Sequence, residues 1–129
     1  MKNILLSLLA AIGLGSTSCC AEDGIVVLSP QDFINQAKKD TTAIILDVRT
    51  PKEYAEGHLA NAKLLDYLNA EAFDAGVKLL DKSNTYYIYC RSGRRSHSAC
   101  LKMKVQGFKV FDMEGGYLKW GKLDMPVVK

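Results

Sequence analysis

Apolar and polar positions fall into blocks that change period along the chain. Ala43 to Val48 is an almost continuous apolar run of strand length, ending in Asp47-Val48-Arg49. Thr85 to Cys90, reading Thr-Tyr-Tyr-Ile-Tyr-Cys, is a second. Such dense runs are expected of strands covered on both faces, as the central strands of parallel sheets are. Gly24 to Leu28 and Phe108 to Phe111 predict two further strands, and Ala62 to Leu65 a weaker fifth. Between them the spacing becomes helical. Ser29 with Pro30 reads as an N-cap and first helical position, opening a helix to about Lys38 that buries Phe33, Ile34 and Ala37. Thr50-Pro51-Lys52-Glu53 is a capping box for a short helix to about Ala55, closed by Gly57. Ala70 to Leu80 carries Phe73, Val77 and Leu80 at helical spacing, and Ser96 to Gln106 carries Ala99, Cys100 and Met103, with Gly107 as terminator. Gly115-Gly116 breaks the chain before a last helix, Tyr117 to Lys122. Strands alternating with helices predict an α/β fold, a mainly parallel sheet with helices on both faces. The functional crevice of such sheets lies beyond the carboxyl ends of the strands. Asp47, Arg49 and Cys90 fall there.

The first twenty residues have a different texture. Lys2 gives a positive start, Ile4 to Leu14 is an apolar run, and Gly15 to Ser18 are small. That order is expected of a secretory signal, and the run is short for a membrane-spanning helix. The chain therefore divides into a signal peptide at 1–20 and one domain at 21–129. Ser16-Thr17-Ser18-Cys19 also resembles the lipobox of bacterial lipoproteins, with Ser16 where Leu is usual. The resemblance implies a lipid on Cys19 that anchors the domain to a membrane surface; ordinary cleavage near Cys20 or Ala21 is the alternative. Either way the protein is expected to be exported in a bacterium, to the periplasm or to a membrane face.

Composition narrows the partners. The 129 residues are 48% hydrophobic and 24% charged, a globular balance, and a scattered net charge of +3 gives no footprint for nucleic acid. The chain has four cysteines. With Cys19 lipidated, Cys20, Cys90 and Cys100 remain, an odd set in which one thiol stays free.

The basic residues do gather once, in Cys90-Arg91-Ser92-Gly93-Arg94-Arg95-Ser96. A cysteine at the end of a buried strand leads through a short Gly-containing turn straight into a helix. Gly93 permits backbone angles that other residues resist, so the loop's N–H groups can turn inward as an anion-binding nest. The helix N-terminus adds positive potential at the same spot, and three arginines surround it. The surroundings favour thiolate over thiol at Cys90.

This segment resembles the active-site loop of the rhodanese family. Leu46-Asp47-Val48-Arg49 with Glu53-Tyr54 and Gly57-His58 resembles the family's first signature, and Glu114-Gly115-Gly116 with Trp120 its C-terminal mark. The resemblance runs from about Ile25 to Gly121 and implies a single rhodanese-like domain around a five-stranded, mainly parallel sheet. It also implies a sulfurtransferase needing no cofactor or metal. The Cys90 thiolate takes a sulfane sulfur from thiosulfate or a persulfide donor and passes it from a Cys90 persulfide to a thiol or protein-cysteine acceptor. Such chemistry is covalent nucleophilic catalysis in two half-reactions. Arg91, Ser92, Gly93, Arg94, Arg95 and Ser96 would bind substrate and hold the persulfide's charge, with Arg95 alternatively turned inward to hold the loop. Asp47 and Arg49 would brace the site.

The remaining candidates read as structure. His58 falls in the structural turn of the family signature, and His97, just after the loop, is expected to be solvated, with tuning of Cys90 as the alternative. Cys100 lies on the apolar face of its helix. Trp120 and Tyr86, Tyr87 and Tyr89 are expected to pack. Rival functions rank behind sulfur transfer. A phosphatase or arsenate reductase loop has five residues between cysteine and clamping arginine; that position here is Ser96, with Arg95 one residue early. A non-catalytic module would lack the cysteine, and a thiol-redox protein would be expected to carry C-x-x-C.

Overall fold

Six strands assemble into one sheet in the order β1-β2-β6-β5-β3-β4 in a computed structural model describing residues 19–20 and 23–129. They are β1 (Cys19–Cys20), β2 (Val26–Leu28), β3 (Ala43–Asp47), β4 (Lys63–Leu64), β5 (Thr85–Tyr89) and β6 (Lys109–Met113). The five helices are α1 (Pro30–Lys39), α2 (Pro51–Glu56), α3 (Ala70–Lys78), α4 (Arg94–Lys104) and α5 (Gly116–Lys122). β2, β6, β5, β3 and β4 run parallel, the five-stranded sheet the pattern predicts. β1 adds a two-residue antiparallel edge on β2, pairing Cys19 with Val27 and Cys20 with Val26. The apolar run Ile4–Leu14, the small residues at 15–18 and the Cys19 side chain lie outside the described residues.

The two dense runs hold the middle of the sheet because their apolar side chains have a helical layer on either side. β5 is buried throughout, and it pairs with β3 from Ala43–Thr85 to Asp47–Tyr89. Tyr86, Ile88 and Cys90 point to one face, against Phe73 and Val77 of α3 and Ala99, Cys100 and Met103 of α4. Tyr87 and Tyr89 point to the other, against Phe33 and Ala37 of α1 and Trp120 of α5. Each fully buried large apolar side chain contributes about 1.5–3 kcal/mol. The capping signals form as read: Ser29 Oγ accepts from the Asp32 N–H at 3.2 Å, and Thr50 and Glu53 cap each other's backbone at the start of α2.

Several boundaries shift by a residue or two from the sequence reading, and two of the shifts bear on the site. α4 starts at Arg94, not Ser96, so Arg94, Arg95 and Ser96 form its first turn. Its N-cap is Gly93 in the left-handed region, φ 103°, which supplies no side-chain cap. The usual Ser, Thr, Asp or Asn signal is therefore missing. β6 runs two residues past Phe111 because Asp112, polar in sequence, is buried beneath α4.

Candidate active site

Cys90 follows the last residue of β5 and is fully buried. The chain then turns through Arg91, Ser92 and Gly93 into α4, and the Gly93 N–H donates to Cys90 Sγ at 3.1 Å. The first-turn N–H groups of Arg94, Arg95 and Ser96 have no partner within the helix and no capping side chain. They give the sulfur's end of α4 the positive potential of a helix N-terminus. The outer side of the loop is held by α5. Its first N–H groups take the loop's carbonyls, Tyr117 N–H donating to Cys90 O at 2.8 Å and Leu118 N–H to Arg91 O at 3.0 Å. Gly116, φ +59°, lets the two backbones approach this closely; a Cβ there would lie about 2.5 Å from Arg91 O.

Arg91, Ser92 and Arg94 are exposed at the mouth, and the Arg91 and Arg94 side chains make no hydrogen bond or ion pair among the described residues. Arg95 is committed elsewhere. Its guanidinium makes a two-pronged pair with Glu53 of α2, at 2.9 and 3.1 Å. That hydrogen-bonded pair pulls the Glu53 pKa down to about 2 and raises that of Arg95. Of the two readings of Arg95, substrate binder or loop holder, the geometry matches the second. Ser96 is buried, with its hydroxyl pointing away from solvent.

Asp47 and Arg49 lie at the end of β3, next to β5, and form a buried pair. Arg49 Nη2 lies 2.6 Å from Asp47 Oδ2, and Arg49 Nε reaches both carboxylate oxygens. The Tyr89 hydroxyl donates to Asp47 Oδ2 at 2.7 Å and accepts from the Leu59 N–H. Arg49 also donates to Gly57 O at 2.7 Å, and its guanidinium lies 4.1 Å from the Tyr117 ring centroid. Burial by itself would lower the Arg49 pKa; the hydrogen bond and charge of Asp47 outweigh it and hold it above its ordinary value. Burial, with the Asp47 charge beside it, pushes the Tyr89 phenol well up, so it stays a donor. The cluster ties β3, the turn after α2 and α5 into one rigid wall. A crevice of about 210 Å³ opens beside it, lined by Arg49, Glu53, Glu56, Arg91, Tyr117 and Leu118. A larger cleft of about 640 Å³ lies at the amino ends of β5 and β6, around Thr85 and Lys109, and contains no loop residue.

A family model, the rhodanese-like domain, matches residues 29–123. The chain belongs to that family. The rhodanese-like domain is 33% identical over 99 residues to a sulfurtransferase of Allochromatium vinosum, covering 75% of this chain and 90% of the relative. It is 30% identical over 86 residues to the thiosulfate sulfurtransferase GlpE of Pseudomonas fluorescens, covering 66% and 76%. A crystal structure of a rhodanese-related protein from Thermoplasma volcanium superposes with a TM-score of 0.70 at 27% identity, over 79% of this chain and 96% of that one. Sulfurtransferases are thus among the relatives of this rhodanese-like domain.

Within the rhodanese-like domain several contacts were not legible in the sequence. Glu53 stands in the sequence as a capping residue and part of the family signature, and it also receives Arg95 across 42 residues of sequence. Tyr89 was read as packing, yet its hydroxyl braces Asp47. The Gly115-Gly116 pair was read as a chain break, while Gly116 seats α5 against the loop. His97 is partly exposed but is paired rather than free in solvent. Its Nε2 lies 2.6 Å from Asp23 Oδ2 and its Nδ1 3.7 Å from Asp112 Oδ2. His58 sits after α2 with Nδ1 2.9 Å from Tyr54 O and its ring stacked on Tyr54. Cys100 is buried among the core residues of α4, and burial pushes its thiol up. Among the described residues no group of three or more His, Cys, Asp or Glu side chains is arranged to hold a metal ion.

Proposed function

We propose that this protein is a sulfurtransferase that carries a sulfane sulfur as a persulfide on Cys90. The observation that carries the reading is the Gly93 N–H on Cys90 Sγ, beside a helix end whose first amides have no side-chain cap among the described residues. In the first half-reaction the Cys90 thiolate attacks the outer sulfur of thiosulfate. The new S–S bond forms, the sulfur–sulfur bond of thiosulfate breaks, and sulfite leaves with its electron pair. The terminal persulfide sulfur then bears the negative charge, and the loop and helix amides are the donors available to it. In the second half-reaction an acceptor thiol takes the outer sulfur and its proton passes to Cys90; cyanide takes it as thiocyanate and returns the thiolate. Exposed Arg91 and Arg94 would attract an anionic donor.

The fate of Arg95 counts against a phosphatase. The arginine nearest to the clamping position of such a loop is occupied by Glu53. Mass spectrometry after thiosulfate treatment tests the proposal. Cys90 is expected to gain one sulfur atom, and Cys90→Ala to gain none; a Cys90–Cys100 disulfide in place of the added sulfur would favour the redox rival.

The reading extends to location. The order Lys2, apolar 4–14, small 15–18 and Cys19 supports export with Cys19 as lipid anchor. Labelling cells with a tagged fatty acid is expected to mark the protein in the membrane fraction, and Cys19→Ala is expected to abolish the label. Unlabelled protein recovered from the cytosol would reject export.

A further inference from the structure

We propose that His97 is a positioning residue of the sulfur-transfer site: held between Asp23 and Asp112, it fixes the first turn of α4, and so the free amides of Arg94, Arg95 and Ser96, relative to Cys90. The inference rests on the sulfurtransferase reading and concerns the regulation of that same site.

The first turn of α4 is fastened on two sides. On one, Arg95 reaches Glu53 of α2. On the other, His97, whose N–H closes the first helical turn onto Gly93 O at 3.2 Å, reaches out to two carboxylates. Nε2 meets Asp23 in the segment before β2, and Nδ1 faces Asp112 near the end of β6. One imidazole therefore links three pieces of chain at the point where the cradle's amides begin.

Asp112 is the unusual partner. It is 3% exposed, and a buried carboxyl is costly unless it has partners. Among the described residues its Oδ1 has no hydrogen bond, and neither does the Ser96 hydroxyl, also buried within the same turn. Its sheet neighbours across β2 and β5 are the apolar Val27 and Ile88. The polar and titratable groups facing it come from α4, namely Ser96, His97 and the neutral thiol of Cys100, and from the segment before β2, Asp23; Cys90 ends the adjacent strand. Burial pushes the Asp112 pKa up to about 6, with His97 opposing in part. Asp23 is exposed to this effect differently. Burial is the largest single influence and raises it, but the Ile25 N–H and His97 together outweigh that and hold it below the ordinary carboxylate range. Lowering the pH through 6 thus neutralises one arm of the clasp while the other persists.

The sign for stability follows. The folded-state value of Asp112 lies above its ordinary 3.8, so the folded protein takes up the proton more readily than the unfolded chain. Charged Asp112 costs stability above about pH 6, and the cost is relieved as the pH falls from there toward 4. Asp112→Asn is therefore expected to melt higher than wild type at pH 8 and like wild type near pH 4. A residue that costs stability yet forms the base of the clasp is a functional-site signature.

The test follows two rates from about pH 5 to 8 in wild type, His97→Gln and Asp112→Asn, with circular dichroism checking each fold. One is single-turnover formation of the Cys90 persulfide from thiosulfate; the other is alkylation of Cys90 by iodoacetamide. Wild type is expected to show an inflection near pH 6 in both, and both variants to lose it. At pH 7, His97→Gln is expected to form persulfide about tenfold more slowly, with KM for thiosulfate changed less than about twofold. Variants that keep the wild-type rates and profiles would overturn the positioning role. His97 is one-third exposed, so His97→Gln decides the matter alone should Asp112→Asn not fold. If wild type forms no persulfide, the sulfurtransferase reading fails, and the alkylation profile still tests the clasp by the presence or absence of the same inflection.

Discussion

Asp47→Ala is expected to lower the free energy of unfolding by about 3–5 kcal/mol, because it leaves the buried Arg49 cation without its partner. The loss is compound. Arg49 keeps Gly57 O and the rings of Tyr117 and Tyr89 but no carboxylate, the Tyr89 hydroxyl loses its acceptor, and the Arg49 N–H loses the Oδ1 that turns the chain after β3. A shift of the melting temperature on the order of 10 °C follows for a domain of this size. Urea unfolding gives the free energy directly. The double variant Asp47→Asn with Arg49→Met is expected to be less impaired than Asp47→Ala, since it removes the stranded charge and retains an acceptor for Tyr89. A cost below about 1 kcal/mol for Asp47→Ala, the range of a surface pair, would show that the pair does not brace the site.

Gly116→Ala is expected to strike both fold and activity. The added methyl would come within 2.5 Å of Arg91 O and 2.6 Å of Cys90 O, and both contacts are with backbone that cannot rotate away. The residue also sits at φ +59°, where an alanine is strained by about 1–2 kcal/mol, and overpacking typically adds about 1–3. Relief requires α5 to retreat from the loop, weakening the bonds from Tyr117 and Leu118 to the loop's carbonyls. Misplacement of the cradle by about 1 Å is expected to slow persulfide formation on the order of 100-fold. Gly121→Ala is the matched control. A Cβ there meets nothing within 4 Å, and in a helix interior alanine is favoured over glycine by about 1 kcal/mol. Equal rates for the two variants would separate α5 from the function of the loop.

What was legible in the sequence was local. The dense runs at Ala43 and Thr85 identified the central strands because covering both faces of a strand leaves no room for polar positions. The capping residues at Ser29 and Thr50 marked their helices because each supplies a side-chain acceptor for a stranded N–H. Where that chemistry was absent the boundary was missed. α4 has a left-handed glycine for its cap, and a Ser at position 96 read as a start when it is a buried first-turn residue. Cys90 and its loop were visible because they are contiguous. Their supports were not, since Glu53, Tyr89, Asp112 and Gly116 reach the loop only through the folding of the sheet. No spacing along the chain announces that Asp23 and Asp112 meet one imidazole, and His97, judged by its neighbours in sequence, looked like any polar residue on a helix.

The order of synthesis gives the contact between α5 and the loop a further meaning. The helix that receives the carbonyls of Cys90 and Arg91 is made after them. Until it exists, the carbonyls of Cys90 and Arg91 lack their N–H donors, and the turn is held only from the α4 side. The last segment to be made is thus the one that completes the wall around Cys90.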